Sequence, residues 1–154
     1  MKRLIVAFSF LTRVPMPQVA ADAGDFAAAI RAYPIVGLVI GGLVAASGWA
    51  GGQIDPWVGA LAALVAWGAV TGALHLDGLG DLADGLGAAH GDRTRLLAVM
   101  ADPHIGSFGV VTIGLQLLAK LVLLHALTGV AWWPVILVPF AARIGPLACA
   151  RWLP

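Results

Sequence analysis

Residues 56–85 read PWVGALAALVAWGAVTGALHLDGLGDLADG, so an apolar run over residues 56–76 is followed at once by Asp77, Asp81 and Asp84. The run is close to the roughly 20 residues that an apolar helix needs to cross a bilayer. On a helix with about 100° per residue, Asp81 lies about 40° from Asp77, and Asp84 about 20° to the other side. The stretch therefore predicts a membrane helix followed by three aspartates that can share one helical face.

The composition extends this prediction to the whole chain. Hydrophobic residues make up 60% and charged residues 11% of the sequence, whereas soluble domains have about 25% charged residues. Four apolar runs approach or exceed the length of a bilayer span, at residues 33–54, 56–76, 105–127 and 132–150. We therefore expect an all-α, polytopic helical bundle with about four transmembrane helices, forming a single membrane-embedded domain over residues 1–154.

The amino-terminal segment is ambiguous by sequence. Lys2 and Arg3 precede an apolar stretch, and residues 21–23 resemble a signal-peptide cleavage site. Against a signal peptide, the segment Thr12-Arg13-Val-Pro-Met-Pro17 interrupts the apolar stretch early. We therefore favour an interfacial or re-entrant helix, followed by a short helix over residues 25–33 that leads into the first span.

The basic residues are distributed asymmetrically on this four-span map. Seven of them fall on one side: Lys2, Arg3, Arg13, Arg31, Arg93, Arg95 and Arg151. The positive-inside rule makes that side the cytoplasm, so the predicted loop over residues 77–104 is cytoplasmic and the turns near Asp55 and Gly129 face outward. The net charge of +1 gives no indication of a nucleic-acid partner.

The aspartates and arginines of residues 77–104 suggest phosphoryl-transfer chemistry. Three like charges so close together repel one another unless a cation offsets them, and Mg²⁺ prefers oxygen ligands. Arg93 and Arg95 offer planar guanidinium groups that can bind phosphate oxygens. Metal and guanidinium together neutralise a transferring phosphoryl group. The alternative for the two arginines is a role as cytoplasmic anchors of the membrane topology.

Other polar residues have competing interpretations. His75 precedes the first aspartate and could position a carboxylate or a phosphate. Asp102 and His104 stand just before the third span, and Asp92 is expected to cap a helix that begins near Arg93. Within the apolar runs, Lys120 either faces the bundle interior or extends to the interface, and Arg143 either reaches a phosphate or anchors the fourth span.

The motif His75-Leu-Asp-Gly-Leu-Gly-Asp-Leu-Ala-Asp-Gly-Leu86 and the downstream Met100-Ala-Asp-Pro-His-Ile-Gly-Ser-Phe-Gly109 resemble the cobalamin synthase family. The opening Ala7-Phe-Ser-Phe-Leu-Thr-Arg-Val-Pro-Met-Pro17 and the start of the first span resemble it too. Members of that family are markedly longer and continue through further apolar spans. The resemblance thus suggests an amino-terminal portion or a truncated member.

The resemblance implies a Mg²⁺-dependent transferase of the cell inner membrane, with its active loop on the cytoplasmic side. Its substrates would be adenosylcobinamide-GDP and α-ribazole or its 5'-phosphate, and its products adenosylcobalamin or its 5'-phosphate and GMP. In this chain Asp77, Asp81 and Asp84 would hold the metal and, with His75, supply the catalytic groups. The implied substrate-binding residues are Arg13, Arg93, Arg95, Asp102, His104 and Arg143. Partners are the substrates and the lipid bilayer, and a homo-oligomer is left open.

Three other functions are compatible with parts of the sequence. A CDP-alcohol phosphotransferase also gathers membrane aspartates around a metal, but its Asp-Gly-x-x-Ala-Arg pattern is missing here. A cation transporter usually carries its carboxylates near the middle of the bilayer, whereas these aspartates follow a span and lie beside arginines. A purely structural membrane subunit would leave the spacing of the aspartates unexplained.

Overall fold

The computed structural model describes the backbone of residues 1–152 and the side chains of residues 1–149, and within that backbone it is all-helical. The α-helices are α1 Lys2–Leu11, α2 Ala23–Ala29, α3 Tyr33–Gly52, α4 Pro56–Thr71, α5 Leu74–Ala89, α6 Arg93–Met100, α7 Ser107–Leu127, α8 Trp133–Ala142 and α9 Ile144–Trp152. A 3₁₀ turn, Ile30–Ala32, joins α2 to α3. The predicted fold class is confirmed at this level.

The chain divides into two compact units. The first contains Met1–Gly72 and the chain from Leu124 onward, and the second is Ala73–Leu123. The boundary separates the apolar helix α4 from the helix that carries the aspartates.

Helix α3 is the centre of the first unit. Its side chains Val36, Ile40 and Val44 are fully buried, and α4 and α8 pack against it. On the α8 side, the helices approach so closely that a methyl group added at Gly41 would lie 2.7 Å from the Cα of Ile136. Contact between backbones through small residues is the usual way in which helices pack where there is no hydrophobic driving force between them.

The amino-terminal segment is tied to the same unit. Asp22 and Asp25 form a reciprocal capping box at the start of α2, and Lys2 of α1 makes a 2.6 Å ion pair with Asp25. The expectation of a short helix that leads into the first span is therefore confirmed.

Two of the four predicted spans are helices long and apolar enough to cross a membrane: Ala23–Gly52 and Ser107–Leu127. A third is obtained only if α4 and α5 are counted together. The predicted second span stops at Thr71 because Gly72 adopts a left-handed conformation, with φ of 62°, and Ala73 follows it with φ of 56°. A left-handed residue ends the hydrogen-bonding pattern of a helix. The count of four spans is not confirmed.

The predicted fourth span is also divided, because α8 ends at Ala142 and α9 begins at Ile144. The side chain of Arg151, one of the basic residues used for orientation, lies outside the described residues.

The segment expected as a cytoplasmic loop, residues 77–104, is largely helical, and this corrects the prediction. The helix restarts at Leu74, so all three aspartates belong to α5. A second short helix, α6, begins where Asp92 accepts hydrogen bonds from the backbone of Thr94 and Arg95, as the capping prediction required. Gly85 lets the two helices meet, since a methyl group there would lie 3.0 Å from Cγ of Met100.

Candidate active site

The three aspartates of α5 have graded environments. Asp77 is exposed, Asp81 is half-buried and Asp84 is buried. They are spaced along one continuous helix, so the predicted helical geometry holds. Their side chains nevertheless have different surroundings and different partners.

Asp77 and Asp81 open into a cavity of about 360 Å³ inside the second unit. The segment between α6 and α7 forms the opposite wall. The lining residues are Asp77, Asp81, Met100, Ala101, Asp102, Pro103, Ile105 and Ile113. The cavity thus combines three carboxylates with apolar side chains, and much of its lining is polar.

Negative charge dominates this cavity. Neither a lysine nor an arginine is among the described residues that line it. The pKa of Asp102 is held below its ordinary value because the backbone N–H of His104, and then the His104 ring, donates to it. Asp102 is consequently ionised at neutral pH. A site with this charge favours a cation, or a substrate that carries one.

Asp84 faces the beginning of α7 instead of the cavity. One carboxylate oxygen accepts the backbone N–H of Gly106 at 2.7 Å, and the other accepts that of Gly109 at 2.9 Å. These are two of the N–H groups that a helix start leaves without an intrahelical partner. The carboxylate also lies favourably at the positive end of the helix dipole.

The predicted metal triad is not assembled as a group. Among the described residues, no three His, Cys, Asp or Glu side chains are arranged so that they could hold a metal ion. The reason lies in Asp84, whose two oxygens are engaged by backbone N–H groups. Asp77 and Asp81 are left as the pair on α5 that faces the cavity. A Mg²⁺ site remains a prediction, and two carboxylates are a number that Mg²⁺ commonly uses when substrate phosphates complete its coordination.

His75 lies at the start of the same helix and is paired with α7. Its Nε2 is 2.9 Å from Nζ of Lys120. An ammonium group only donates hydrogen bonds, so a charged Lys120 requires Nε2 to be the acceptor. Lys120, whose role the sequence left open, therefore contacts a predicted catalytic residue.

Asp102 and His104 form a local pair. The Nδ1 atom of His104 lies 2.6 Å from the Asp102 carboxylate, and its backbone N–H donates to the same oxygen at 3.0 Å. Asp102 lines the cavity, whereas the His104 ring is 90% exposed. The structure thus brings Asp102, but not the His104 ring, to the carboxylates of α5.

Arg93 and Arg95 lie at the start of α6 with exposed side chains, and neither lines the cavity. Arg13 and Arg143 belong to the first unit. Arg13 lies over Gly72, where its backbone N–H donates to the carbonyl of Val70 at 2.8 Å.

Arg143 donates from Nη1 to the carbonyl of Pro139 at 3.0 Å. The contact satisfies a carbonyl in the last turn of α8, a role that basic residues commonly have at helix ends. For Arg143, as for Arg13, Arg93 and Arg95, a role in substrate binding stays a prediction.

The sequence indicated Asp102 and His104 in this segment, but not the apolar lining by Met100, Ala101, Pro103 and Ile105, nor the hydrogen bonds of Asp84. One signal was available, since Gly106 and Gly109 stand at the start of an apolar helix and leave room there for a side chain from elsewhere. Asp84 is 22 and 25 residues away from these glycines in the sequence, so it could not be identified as their partner before the fold was known.

Comparison with known proteins gives concordant results. The model of the family described as cobalamin-5-phosphate synthase matches residues 3–154. The chain is 60% identical to an adenosylcobinamide-GDP ribazoletransferase of Novosphingobium aromaticivorans, over 99% of this chain and 64% of that protein. It is 48% identical to the Thiobacillus denitrificans protein of the same name, over 99% of this chain and 62% of the relative.

A third protein of that name, from Laribacter hongkongensis, is 57% identical over 94% of this chain and 61% of its own length. The chain therefore spans less than two thirds of the length of these curated relatives. No solved structure matches it.

Proposed function

The chain belongs to the cobalamin-5-phosphate synthase family, and from this premise we propose that it carries the pyrophosphate-binding part of an adenosylcobinamide-GDP ribazoletransferase. The proposed substrates are adenosylcobinamide-GDP and α-ribazole or its 5'-phosphate. A ribazole hydroxyl oxygen attacks the phosphorus next to the cobinamide. One P–O bond forms, the bridging P–O bond of the pyrophosphate breaks, GMP leaves, and the hydroxyl proton passes to a base.

The observation that carries this proposal is the cavity in which Asp77 and Asp81 face Asp102. A pyrophosphate cannot enter an acidic cavity without a cation between the two sets of negative charges. We therefore propose that Asp77 and Asp81 hold Mg²⁺. When bound, Mg²⁺ neutralises charge on the phosphate oxygens and on the leaving group.

The remaining residues have roles that follow from their contacts. Asp102 lines the same cavity, so it is a candidate to accept the hydrogen bond of the attacking hydroxyl at a carboxylate oxygen. The lowered pKa of Asp102 makes it a weaker base than an ordinary aspartate. His75 is held by Lys120 and precedes Asp77 by two residues, about half a helical turn. A role for its ring in orienting a substrate oxygen stays a prediction.

The direct test is GMP release. Membranes that contain the protein are incubated with adenosylcobinamide-GDP and α-ribazole, with Mg²⁺ or with a chelator. We expect GMP and a corrinoid product in equal amounts, only when Mg²⁺ is present. If no GMP forms with both substrates and Mg²⁺, the proposed activity is wrong. If the chelator leaves GMP release unchanged, the metal assignment is wrong.

We expect Arg93→Lys and Arg95→Lys each to lower kcat/KM by about tenfold. Lysine keeps the positive charge that fixes membrane orientation but loses the planar guanidinium that binds two phosphate oxygens, and a charged hydrogen bond has about this value. Steady-state kinetics of GMP release measure the effect. Arg31→Lys is the matched control, because Arg31 is an exposed arginine outside the second unit and lies on the cytoplasmic side in the proposed orientation. Wild-type kinetics in both test variants would make the two arginines topological anchors.

We propose that the protein lies in the inner membrane with the second unit's polar segment on the cytoplasmic side. In a Cys149→Ser background, Thr94→Cys on α6 should resist an impermeant thiol reagent in intact cells and react after lysis. Gly129→Cys, in the predicted outward turn, should react before lysis; both positions are exposed. Labelling of Thr94→Cys in intact cells would reverse the proposed orientation.

A further inference from the structure

Asp84 links the two walls of the acidic cavity. One wall is α5, where Asp77 lies about two turns and Asp81 about one turn before Asp84. The other wall is the segment that ends at Ile105, and the next residue, Gly106, donates its N–H to Asp84 at 2.7 Å. A single buried carboxylate thus fixes the end of one wall to the other.

The carboxylate leaves no room for a side chain at Gly106 or at Gly109, which stand at the start of α7. A methyl group added at Gly106 or at Gly109 would collide with the Asp84 carboxylate. Further along the same helix, a methyl group added at Gly114 would meet nothing within 4 Å. Gly106, just before α7, and Gly109, in its first turn, therefore lie against Asp84, whereas Gly114 further along α7 has open space and serves as the control position.

A carboxylate is better suited to this position than any neutral group. It offers an acceptor oxygen to each N–H, and its charge interacts favourably with the amino end of a 21-residue helix. An amide of the same shape would turn an NH₂ group toward one of the two donors and leave that buried donor unsatisfied.

We propose that Asp84 is a positioning residue: it holds the segment Asp102–Gly106 against α5 and so sets the distance between Asp102 and the pair Asp77 and Asp81. Its carboxylate faces these backbone donors and does not line the cavity, so we infer that it is not a metal ligand. The effect of Asp84 on catalysis rests on the proposed function. The role of Asp84 in holding the two walls together does not depend on it.

The first test is thermal unfolding of the detergent-solubilised protein. We expect Asp84→Asn and Gly109→Ala each to lower Tm by about 5 °C, because the first removes the charged acceptor and the second adds a methyl group that displaces the Asp84 carboxylate. Gly114→Ala, Asp77→Asn and Asp81→Asn should not lower it. Because Asp84 and Gly109 form one contact, the double variant should lose little more than either single variant. Wild-type Tm in Asp84→Asn would overturn the proposal.

The second test separates positioning from metal binding. Mn²⁺ binding is followed by the spectrum of the free ion in electron paramagnetic resonance. We expect Asp81→Asn to weaken Mn²⁺ binding by about tenfold or more, because it removes a charged ligand. Asp84→Asn should change it by less than about twofold, because Asp77 and Asp81 both lie on α5 and their spacing does not depend on the contact with Gly106 and Gly109. Weakening in Asp84→Asn equal to that in Asp81→Asn would make Asp84 a ligand and the proposal wrong.

The third test measures the distance between the two walls of the cavity. Spin labels are attached in a Cys149→Ser background at Gly78→Cys, which has open space around it, and at Ile105→Cys, which is exposed. We expect Asp84→Asn to broaden the distribution of distances between the labels at a temperature where the protein is folded. An unchanged distribution would contradict the positioning role.

If wild-type protein releases no GMP, the proposed function fails, yet unfolding and label distances still decide the role of Asp84. If GMP is released, Asp84→Asn should lower kcat by about tenfold at saturating Mg²⁺ while leaving the Mg²⁺ concentration for half activity unchanged. A raised Mg²⁺ requirement would instead indicate lost ligation.

Discussion

Replacement of Asp77 or Asp81 by asparagine is expected to lower kcat for GMP release by about 10³-fold, because a metal on a phosphoryl group contributes several kcal/mol of transition-state stabilisation. Asparagine keeps the shape of aspartate and removes the charge. Both side chains face the cavity, and neither takes part in the contact that secures α7. Folding should therefore be unaffected.

Asp92→Asn is the matched control for this experiment. Asp92 caps α6 through backbone N–H groups, and asparagine caps helices as well as aspartate does. The control variant should keep wild-type activity and stability. Wild-type kcat in both Asp77→Asn and Asp81→Asn would contradict the metal site, and equal losses in the Asp92 variant would indicate a general sensitivity to charge.

The helical character of the chain could be predicted because it depends on local sequence. Runs of apolar residues set the limits of α3 and α7. The cap at Asp92 is equally local, because its side chain accepts hydrogen bonds from backbone N–H groups two and three residues further on. The end of α4 was missed, although Gly72 is a recognisable helix terminator. Apolar residues continue past it, and hydropathy alone does not register a left-handed backbone.

The site could be predicted only in part. The spacing of Asp77 and Asp81 gave a shared helical face, and both open into one cavity. The engagement of Asp84 could not be deduced, because it depends on how α7 lies against α5. The spacing of carboxylates along a helix does not show which of them contacts another element.

The second large effect is expected in the first unit, at the contact between α3 and α8. Gly41→Leu should lower the free energy of unfolding by at least about 3 kcal/mol, since overpacking of this severity lies at or above the upper end of the usual range. A methyl group at Gly41 already meets the backbone of α8, with Ile136 Cα at 2.7 Å. A backbone cannot rotate aside as a flexible side chain can, so the helices must separate. Val44 and Ile40 would then lose part of their burial.

The neighbouring Gly42 provides a control of opposite sign. A methyl group added there meets nothing within 4 Å, and leucine is a better helix former than glycine by about 1 kcal/mol. Gly42→Leu should therefore leave stability unchanged or raise it. Reversible unfolding in mixed micelles measures both variants. A smaller loss in Gly41→Leu than in Gly42→Leu would show that α3 and α8 are not in direct backbone contact, and the arrangement of the first unit would have to be revised.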